Sequence, residues 1–362
     1  MTLSSFRQPP FHMPCHSRNS HFLLTGVLMS ETPSPNNVII SRTPLRVSLC
    51  GGGTDLDQFS MSNSSGGRVV SLAIDKYVYV TMNRRFDDSI RVSYSSTENA
   101  DSVDDVQHDL VREAMRLTGT DSGVEITTIA DIPGRGTGLG SSSSVTVGLL
   151  HAMHAFHGRQ PSKEQLAEEA CHIEIEILGA PIGRQDQYAG AFGGINSISF
   201  GSNGVIVEPI GVSEELISSI SNRFSLVFTG LTRSANKVLS RVVEDIESKN
   251  SSLKEIRNHA NLAAEMMESG DLDSLGQLLN SSWLVKRETS SNVSNYEIDK
   301  LYNLLISFGA KGAKLLGAGS GGFFLVYGDD SLRQQITNKL GIENRVIPVG
   351  IDFSGSQIIH GY

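Results

Sequence analysis

Cysteine is scarce in this sequence, and long apolar runs are absent from it. The 362 residues include three cysteines, Cys15, Cys50 and Cys171, which lie far apart and form no CxxC or other metal-ligand spacing. This pattern argues against a disulfide framework and a zinc site, and it indicates a reducing, cytoplasmic setting. No stretch approaches the roughly 20 consecutive apolar residues of a membrane-spanning helix, so we expect no membrane association.

Positive charge is also in short supply. The chain has 30 lysine and arginine residues against 39 aspartate and glutamate residues, which gives a formal net charge of −9. A protein that binds nucleic acid along the phosphate backbone needs a basic surface, and this composition offers none for the chain as a whole. We therefore expect no nucleic-acid partner.

The first 36 residues differ in composition from the rest of the chain. They are rich in Ser, Pro, His and Asn, contain no acidic residue before Glu31 and show no sustained periodicity, so we expect a disordered tail. The apolar patch HFLLTGVLM mildly resembles an export or organelle signal, but it lacks a small-residue cleavage site. The alternative that we favour is a translation start at Met29.

Beyond the tail, strand and helix patterns interleave in two groups. We predict strands over VIISRTPLRVSL, SLAIDKYVYVTMNRR and VEITTIADIP. After residue 144, Val145, Leu149, Met153 and Phe156 have the spacing of an apolar helix face. After a polar segment at 213–221, the strand patterns RFSLVFTG, GGFFLVYG and NRVIPVGIDF accompany long helices across roughly 233–308. The order lacks the regular βα repeat of a doubly wound sheet. We therefore predict an α+β fold with an N-terminal domain at 37–212 and a C-terminal domain at 213–362.

The stretch GRGTGLGSSSS, residues 134–144, contains four glycines and four serines. Glycine lets main-chain amides converge on an anion, and a helix that opens at the serines would add free N–H groups and the positive end of its dipole. Serine hydroxyls can cap such a helix or bind magnesium. The composition fits a phosphate-binding loop and equally a flexible linker before a capped core helix.

Two common phosphate-binding motifs are excluded. A Walker loop needs a lysine after its glycines, and none follows here; a dinucleotide loop needs GxGxxG, which Gly136, Gly138 and Gly140 do not match. GAGSGG, residues 317–322, does match GxGxxG. It precedes the strand-like FFLVYG rather than a helix, so we predict no dinucleotide site there.

Three stretches together resemble the motifs of the GHMP kinase family. They are TPLRVSLCGGGTD (43–55), PGRGTGLGSSSS (133–144) and KLLGAGSGGFFL (314–325), called here the first, second and third motifs. The resemblance runs from about residue 38 to the end. It implies an ATP-dependent small-molecule kinase with an N-terminal β-α-β lobe, a ferredoxin-like C-terminal lobe and the nucleotide on the second motif. GGGTD in place of a GEHTDY-like ending argues against galactose.

The resemblance also implies the two catalytic residues. Asp186, in GRQDQYAG, matches the family's catalytic aspartate, which orients and deprotonates the acceptor hydroxyl. Arg46 lies nine residues before Asp55, the spacing of the family's arginine beside that aspartate, where it would keep the carboxylate ionised. From the residues alone, Asp186 also reads as a helix N-cap and Arg46 as a surface strand residue.

ATP and magnesium are the implied cofactors. The implied nucleotide-binding residues are Pro133, Gly134, Gly136, Gly138, Leu139, Gly140, Ser141, Ser142 and Ser143. Ser142 and Glu174 are the implied magnesium ligands, with the choice of serine open by one position. Glu174 and Glu176 are two residues apart and cannot share a helix face, so we expect Glu176 to face solvent.

The first and third motifs are implied to enclose the acceptor. The implied substrate-binding residues are Gly52, Gly53, Thr54, Asp55, Gly319, Gly321, Arg233 and Lys286. Asp55 would accept a sugar hydroxyl, although a plain glycine turn is the competing interpretation. The third-motif glycines are expected to pack against the first motif and the phosphates. Arg233, Lys286 and Arg287 are candidate anchors for a substrate phosphate, or else solvated surface cations.

GRQDQYAGAFGGIN and YSSTENADSVDDVQHDLVREA are similar to the family branch that acts on D-glycero-D-manno-heptose 7-phosphate. This implies transfer of the ATP γ-phosphoryl group to the anomeric hydroxyl, which gives the 1,7-bisphosphate for surface polysaccharide. The alternatives are a GHMP kinase for a neutral sugar such as fucose or another heptose or hexose, and a non-catalytic nucleotide- or sugar-binding regulator. The expected partner is a small-molecule sugar or sugar phosphate, and a homodimer is left open.

Overall fold

The structure is a computed structural model and describes residues 38–132, 136–232, 250–290, 292–341 and 346–361. The predicted tail at 1–36 lies outside these ranges, as do Pro133, Gly134 and Arg233. From Val38 onwards the described residues belong to one compact unit, which contains two β-sheets.

The larger sheet has eight strands in the described residues. They are β1 Val38–Cys50, β2 Gly67–Arg84, β3 Ile90–Ser93, β4 Thr97–Ala100, β5 Val124–Ala130, β6 Ile195–Gly201, β7 Gly204–Pro209 and β12 Gln357–His360. The order is β12-β1-β2-β5-β3-β4, with β6 and β7 beside the first part of β2. Only β3 and β5 pair in parallel. Because β2 is 18 residues long, it pairs with β6 near its start and with β5 near its end.

Helices cover one face of this sheet. They are α2 Asp109–Thr118, α3 Ser141–Phe156, α4 Lys163–Cys171 and α5 Gln185–Phe192, and the shorter elements are α1 Asp57–Ser60, a 3-10 turn Val103–Asp105 and a π-helical segment His172–Ile177. Helix α3 packs on β1 and β2 and also contacts α2, α4 and α5. The helical spacing of Val145, Leu149, Met153 and Phe156 is confirmed, since the last three are buried and Val145 is partly buried. The helix that follows the Gly/Ser stretch is therefore the central helix of this core.

The smaller sheet confirms the ferredoxin-like prediction. Its strands are β8 Phe224–Phe228, β9 Gly312–Leu315, β10 Phe323–Tyr327 and β11 Val346–Pro348. The order β11-β8-β10-β9 is entirely antiparallel and corresponds to 4-1-3-2 in chain order. The helices of this half are α6 Glu214–Arg223, α7 Asn250–Ser269, α8 Leu272–Glu288, α9 Tyr296–Ser307 and α10 Leu332–Leu340. No helix in the described ranges is both long and apolar enough to cross a bilayer.

The structure adds detail to the predicted division at residue 212. The polar segment 213–221 is mostly helical, because it forms α6, and the Ser213 side chain caps this helix by accepting from the Leu216 amide. Strand β12, near the end of the chain, lies beside β1 in the larger sheet. The chain therefore crosses back after the smaller sheet, and the boundary at 212/213 stays a prediction.

Helix α8 approaches the smaller sheet closely at one glycine. A Cβ atom on Gly276 would lie 2.1 Å from Cδ1 of Tyr327 in β10. A Cβ atom on Gly312 in β9 would in turn lie 1.9 Å from the Gly276 carbonyl oxygen. These two glycines set the distance between α8 and the sheet, and so they also position Lys286, which lies in the last turn of α8.

We predict that Gly276→Ala lowers the free energy of unfolding by about 1–3 kcal/mol, because the added methyl group must displace the Tyr327 ring or the helix. The matched control is Gly211→Ala, since a Cβ there has no heavy atom within 4 Å. Urea denaturation of both variants measures the difference. Equal stability of Gly276→Ala and the wild type would contradict the close packing.

Candidate active site

The centre of the candidate site is an ion pair between Arg46 in β1 and Asp186 in the first turn of α5. Nε of Arg46 donates to Oδ1 of Asp186 at 2.7 Å, and Nη2 donates to Oδ2 at 2.8 Å. The Arg46 side chain is 5% exposed and that of Asp186 is 23% exposed. This geometry is a bidentate pair, which orients a carboxylate more firmly than a single hydrogen bond does. Arg46 is therefore not a surface residue, and Arg184 rather than Asp186 is the N-cap residue of α5.

Arg46 also fixes the second motif. Its Nη1 donates to the Gly138 carbonyl, and its backbone amide donates to the Leu139 carbonyl at 3.0 Å. A Cβ atom on Gly140 would lie 3.1 Å from Cγ of Arg46 and 3.3 Å from Cγ of Asp186. The Gly/Ser loop thus lies directly against the ion pair, and the linker interpretation does not fit this contact.

The loop delivers free amides to the start of α3. Gly136, Gly138 and Gly140 all have φ between 74° and 76°, which is the left-handed region that suits glycine. The first intrahelical bond of α3 runs from the Ser144 amide to the Gly140 carbonyl at 3.0 Å. The amides of residues 141–143 therefore precede the helical ladder, and Gly140 provides no side-chain cap. Amides at a helix N-terminus are suited to bind phosphate.

Glu174 lies beside this helix start. It belongs to the π-helical segment, is 2% exposed, and accepts from the Ser142 hydroxyl and from Nε2 of Gln187, each at 2.7 Å. Burial raises the pKa of Glu174 to about 7, although the hydrogen bonds oppose this shift. Glu176 is exposed and pairs with His172, as expected for a solvent-facing residue.

The carboxylate of Glu174 and the hydroxyl of Ser142 are the kind of oxygen donors that magnesium prefers. Oε1 of Gln187, next to the same carboxylate, is buried without a hydrogen-bond partner. These residues fit a hydrated magnesium ion that completes its shell with phosphate oxygens. In the described ranges, no group of three or more His, Cys, Asp or Glu side chains is arranged to hold a metal by itself.

The first motif forms a buried turn beside α5. Asp55 is 2% exposed, and its oxygens accept from the amides of Gly53 and Gln185 and from Nε2 of Gln185 at 2.9, 3.2 and 3.0 Å. Burial, and next the charge of Asp186, raise the pKa of Asp55. Thr54 donates to the carbonyls of residues 51 and 68. Both side chains therefore hold the turn together, and a sugar contact by Asp55 stays a prediction.

The glycines of the first motif differ in their surroundings. A Cβ atom on Gly52 would face the amide of Gln185 at 3.6 Å, whereas one on Gly53 would face only Cδ2 of Leu253 in α7, at 3.6 Å. Gly53 has φ 98°, so the turn requires glycine there. Both glycines belong to the turn that contains Asp55. Their contact with substrate stays a prediction.

The third motif packs differently from the prediction. The sequence predicts that its glycines lie against the first motif, but Gly317 and Gly322 lie against the backbone of Gly138 and Thr137 in the second motif. A Cβ atom on Gly319 would lie 2.6 Å from the carbonyl oxygen of residue 293, and one on Gly321 would lie 2.8 Å from that of residue 231. The physical reason is that β10 hydrogen-bonds to the second motif, through the Phe323 amide and the Thr137 carbonyl.

Two lysines from the C-terminal half reach the same region. Nζ of Lys314 in β9 donates to the carbonyls of Ser48 and Leu49 at 2.8 and 2.7 Å, so it connects the smaller sheet to β1. Burial lowers the pKa of Lys314 to about 8. Nζ of Lys286 donates to the Gly317 carbonyl of the third motif. The neighbouring Arg287 pairs with Asp299 at 3.0 Å.

Sequence reasoning missed three side chains of this site. Gln185 covers Asp55, Gln187 orients Glu174, and Lys314 joins the two sheets. The two glutamines flank Asp186 in the sequence, which is the one signal available for them. A glutamine in the first turn of a short helix otherwise reads as a solvated residue. The signal for Lys314 is its place at the start of the third motif, which does not show that its side chain reaches β1.

Comparisons with known proteins identify the family of this chain. The N-terminal domain of the GHMP kinases matches residues 108–194, and the C-terminal domain of the same family matches residues 254–345. D-glycero-alpha-D-manno-heptose 7-phosphate kinase of Campylobacter jejuni is 31% identical over 331 residues, which cover 87% of this chain and 96% of that protein. The chain therefore belongs to the GHMP kinase family.

Two further proteins are similar to this chain, one in sequence and one in structure. The bifunctional fucokinase/GDP-fucose pyrophosphorylase of Arabidopsis thaliana is 27% identical over 81% of this chain and 30% of its own length. A solved D-glycero-D-manno-heptose 1-phosphate kinase from Bacteroides thetaiotaomicron has the same fold, with a TM-score of 0.73, 24% identity and coverage of 90% of this chain and 98% of that one. The protein is an ATP-dependent sugar kinase.

We predict that Gly138→Ala weakens the binding of Mg·ATP at least about tenfold, because a Cβ atom there would lie 2.5 Å from the Leu316 carbonyl oxygen and displace the loop amides. Gly158→Ala is the matched control, since Gly158 has a similar φ of 69° but open space around the new methyl group. Isothermal titration calorimetry on both variants gives the affinities. If the two variants bound Mg·ATP equally well, the loop would not hold the nucleotide.

Proposed function

We propose that this kinase transfers the γ-phosphoryl group of ATP to the anomeric hydroxyl of D-glycero-D-manno-heptose 7-phosphate and forms the 1,7-bisphosphate. The observation that carries the choice of sugar is the 31% identity, over nearly the full length of both chains, to a kinase named for that substrate. The product would enter the synthesis of nucleotide-activated heptose for surface polysaccharide. We expect the reaction in the cytoplasm, where ATP is made, and leave a homodimer as an open prediction.

The Arg46–Asp186 pair supports in-line phosphoryl transfer. Asp186 accepts the proton of the acceptor hydroxyl as that oxygen bonds to the γ-phosphorus. The bond between the γ-phosphorus and the bridging oxygen breaks, and ADP leaves with the electron pair. Arg46 donates to both carboxylate oxygens of Asp186, which fixes the direction of the base. The protein thus supplies position and charge rather than a covalent intermediate.

The nucleotide phosphates are proposed to lie on the amides that open α3. Residues 136–143 supply these amides, with Leu139 buried below them as an anchor. Ser142 and Glu174 are the proposed magnesium ligands, and Gln187 is proposed to hold Glu174 in place. Magnesium bound there would neutralise the β- and γ-phosphate oxygens during the transfer.

The acceptor is proposed to lie between the first motif and Asp186. Gly52 and Gly53 leave room for the sugar at the Asp55 turn. Arg233, which lies outside the described residues, stays the predicted anchor of the distal phosphate. Gly319 and Gly321 stay predicted substrate-binding residues, and a Cβ atom on either would meet backbone of the C-terminal half.

We predict that turnover is highest with the phosphorylated heptose. Purified protein is assayed for ADP release with D-glycero-D-manno-heptose 7-phosphate, the unphosphorylated heptose, fucose and galactose, and phosphorus NMR identifies the product. Loss of one charged phosphate contact costs about 1.5–3 kcal/mol, so kcat/KM falls roughly 10- to 150-fold for the unphosphorylated heptose. The assay without acceptor measures background ATP hydrolysis.

The same panel tests the two alternatives. A preference for an unphosphorylated sugar would contradict the proposal and favour the neutral-sugar kinase, for which the similarity to the fucokinase is the supporting observation. Binding of Mg·ATP without turnover of any acceptor would favour the non-catalytic regulator. The intact Arg46–Asp186 pair and the Ser142–Glu174 contact argue against that third outcome.

A further inference from the structure

Lys286 brings an ammonium group to the third motif from the C-terminal half of the chain. It lies in the last turn of α8, and its ammonium group donates to the Gly317 carbonyl in the third motif. An ammonium group has three N–H donors, so this bond leaves two of them for another partner. In the part of the chain that the structure describes, no carboxylate lies within ion-pair distance of Lys286. The side chain therefore brings a positive charge to the third motif without a counterion.

A chain of direct contacts connects this ammonium group to the reacting pair. Gly317, its hydrogen-bond acceptor, lies so close to the second motif that a Cβ atom on Gly317 would be 2.5 Å from Cα of Gly138. The Gly138 carbonyl accepts from Arg46, and Arg46 holds Asp186. Lys286 thus contacts Gly317, and the backbone of Gly317 in turn lies against the loop proposed to bind the triphosphate.

The electrostatic surroundings of Lys286 agree with this location. Burial, and next the positive charges of Lys314 and Arg46, lower its pKa to about 7, while the charges of Asp55 and Asp186 oppose the shift. All four of these charges belong to the first motif, the reacting pair or the strand β9 that touches them. An anion that arrived at the second motif would relieve the repulsion and would keep Lys286 protonated.

We propose that Lys286 is a catalytic residue that contacts the phosphoryl group during its transfer and supplies, from α8, the lysine that the Gly/Ser loop lacks. In Walker loops a lysine within the loop reaches the β- and γ-phosphates. Here the loop contains no lysine, and Lys286 reaches the third motif from the other half of the chain. The inference rests on the proposed phosphoryl transfer but not on the identity of the acceptor.

This role differs from the distal-phosphate anchor that the sequence suggests for Lys286. An anchor for a 7-phosphate would lie at the far end of the sugar, away from the atoms that react. The contacts instead place the ammonium group against the third motif, whose Gly317 touches the nucleotide loop. Lys286 should therefore act on the rate of the transfer and not on the recognition of a phosphorylated acceptor.

The test uses Lys286→Met and Lys286→Gln, with Lys286→Arg as the rescue variant and Arg287→Met as the matched control. Arg287 is the adjacent base, but its charge is already paired with Asp299. Gln keeps a donor for the Gly317 carbonyl, so it removes the charge while retaining that contact. Thermal melting first verifies that each variant is folded.

We predict that kcat falls roughly 100- to 1,000-fold in Lys286→Met and Lys286→Gln, as for the loss of one transition-state donor, with partial recovery in Lys286→Arg and little change in Arg287→Met. The fall in kcat should be equal for the acceptor of the panel with the highest turnover and for the same sugar with its distal phosphate added or removed. Calorimetry should show a larger loss of affinity for Mg·ATP than for Mg·ADP.

Two results would overturn the inference. One is a kcat within about threefold of the wild type in both neutral variants, which is too small for a lost transition-state contact. The other is a loss confined to the KM of phosphorylated acceptors, which would make Lys286 the anchor. Failure of the heptose preference alone would contradict the proposed substrate and leave the kcat prediction to be judged with whichever sugar is turned over.

Discussion

The bidentate contact between Arg46 and Asp186 is the interaction on which the rest of the site depends. Arg46 extends from the central strand pair β1–β2, Asp186 lies in the first turn of α5, and the same guanidinium donates to the Gly138 carbonyl of the Gly/Ser loop. Three segments that are far apart in sequence therefore meet at one side chain. Lysine could not replace it, because one ammonium group cannot present the planar fork that serves two carboxylate oxygens and a carbonyl.

Near this pair, the fold buries the ionisable side chains of Glu174, Lys286 and Lys314 with few opposite charges beside them. Burial raises the pKa of Glu174 to about 7 and lowers those of Lys286 and Lys314 to about 7 and 8. Each shift means that the charged form is costly until a ligand of opposite sign arrives. The proposed ligands, magnesium and the triphosphate of ATP, carry charges of both signs and would compensate both kinds of buried charge.

Much of this arrangement could be predicted from the sequence, and the exceptions have a common physical cause. The apolar spacing of Leu149 and Met153 predicts the buried face of α3, and the motif spacing leads to Arg46 and Asp186. Periodicity and motifs report local geometry and the close approach of glycine backbones. They do not report which surfaces distant in sequence come into contact. Only the structure therefore shows how Gly319 and Gly321 pack and that Lys314 connects the two sheets.

The glutamines show the same limit at the level of one side chain. Gln187 is fully buried and donates to Glu174, yet its position in the first turn of α5 is one where a glutamine is ordinarily solvated. Burial of α5 between β1, α3 and α4 reverses that expectation. Glu174 is likewise buried, and it lies in a six-residue π-helical segment.

The most direct test of the account is the single-turnover rate of Asp186→Asn. This variant keeps the shape of the side chain and removes both the base and the negative charge that Arg46 neutralises. The account predicts that the rate falls about 100- to 10,000-fold or more, with the Mg·ATP affinity within a few fold of the wild type and the fold intact. A rate close to that of the wild type, in a folded variant that binds Mg·ATP, would contradict the assignment of Asp186 as the base.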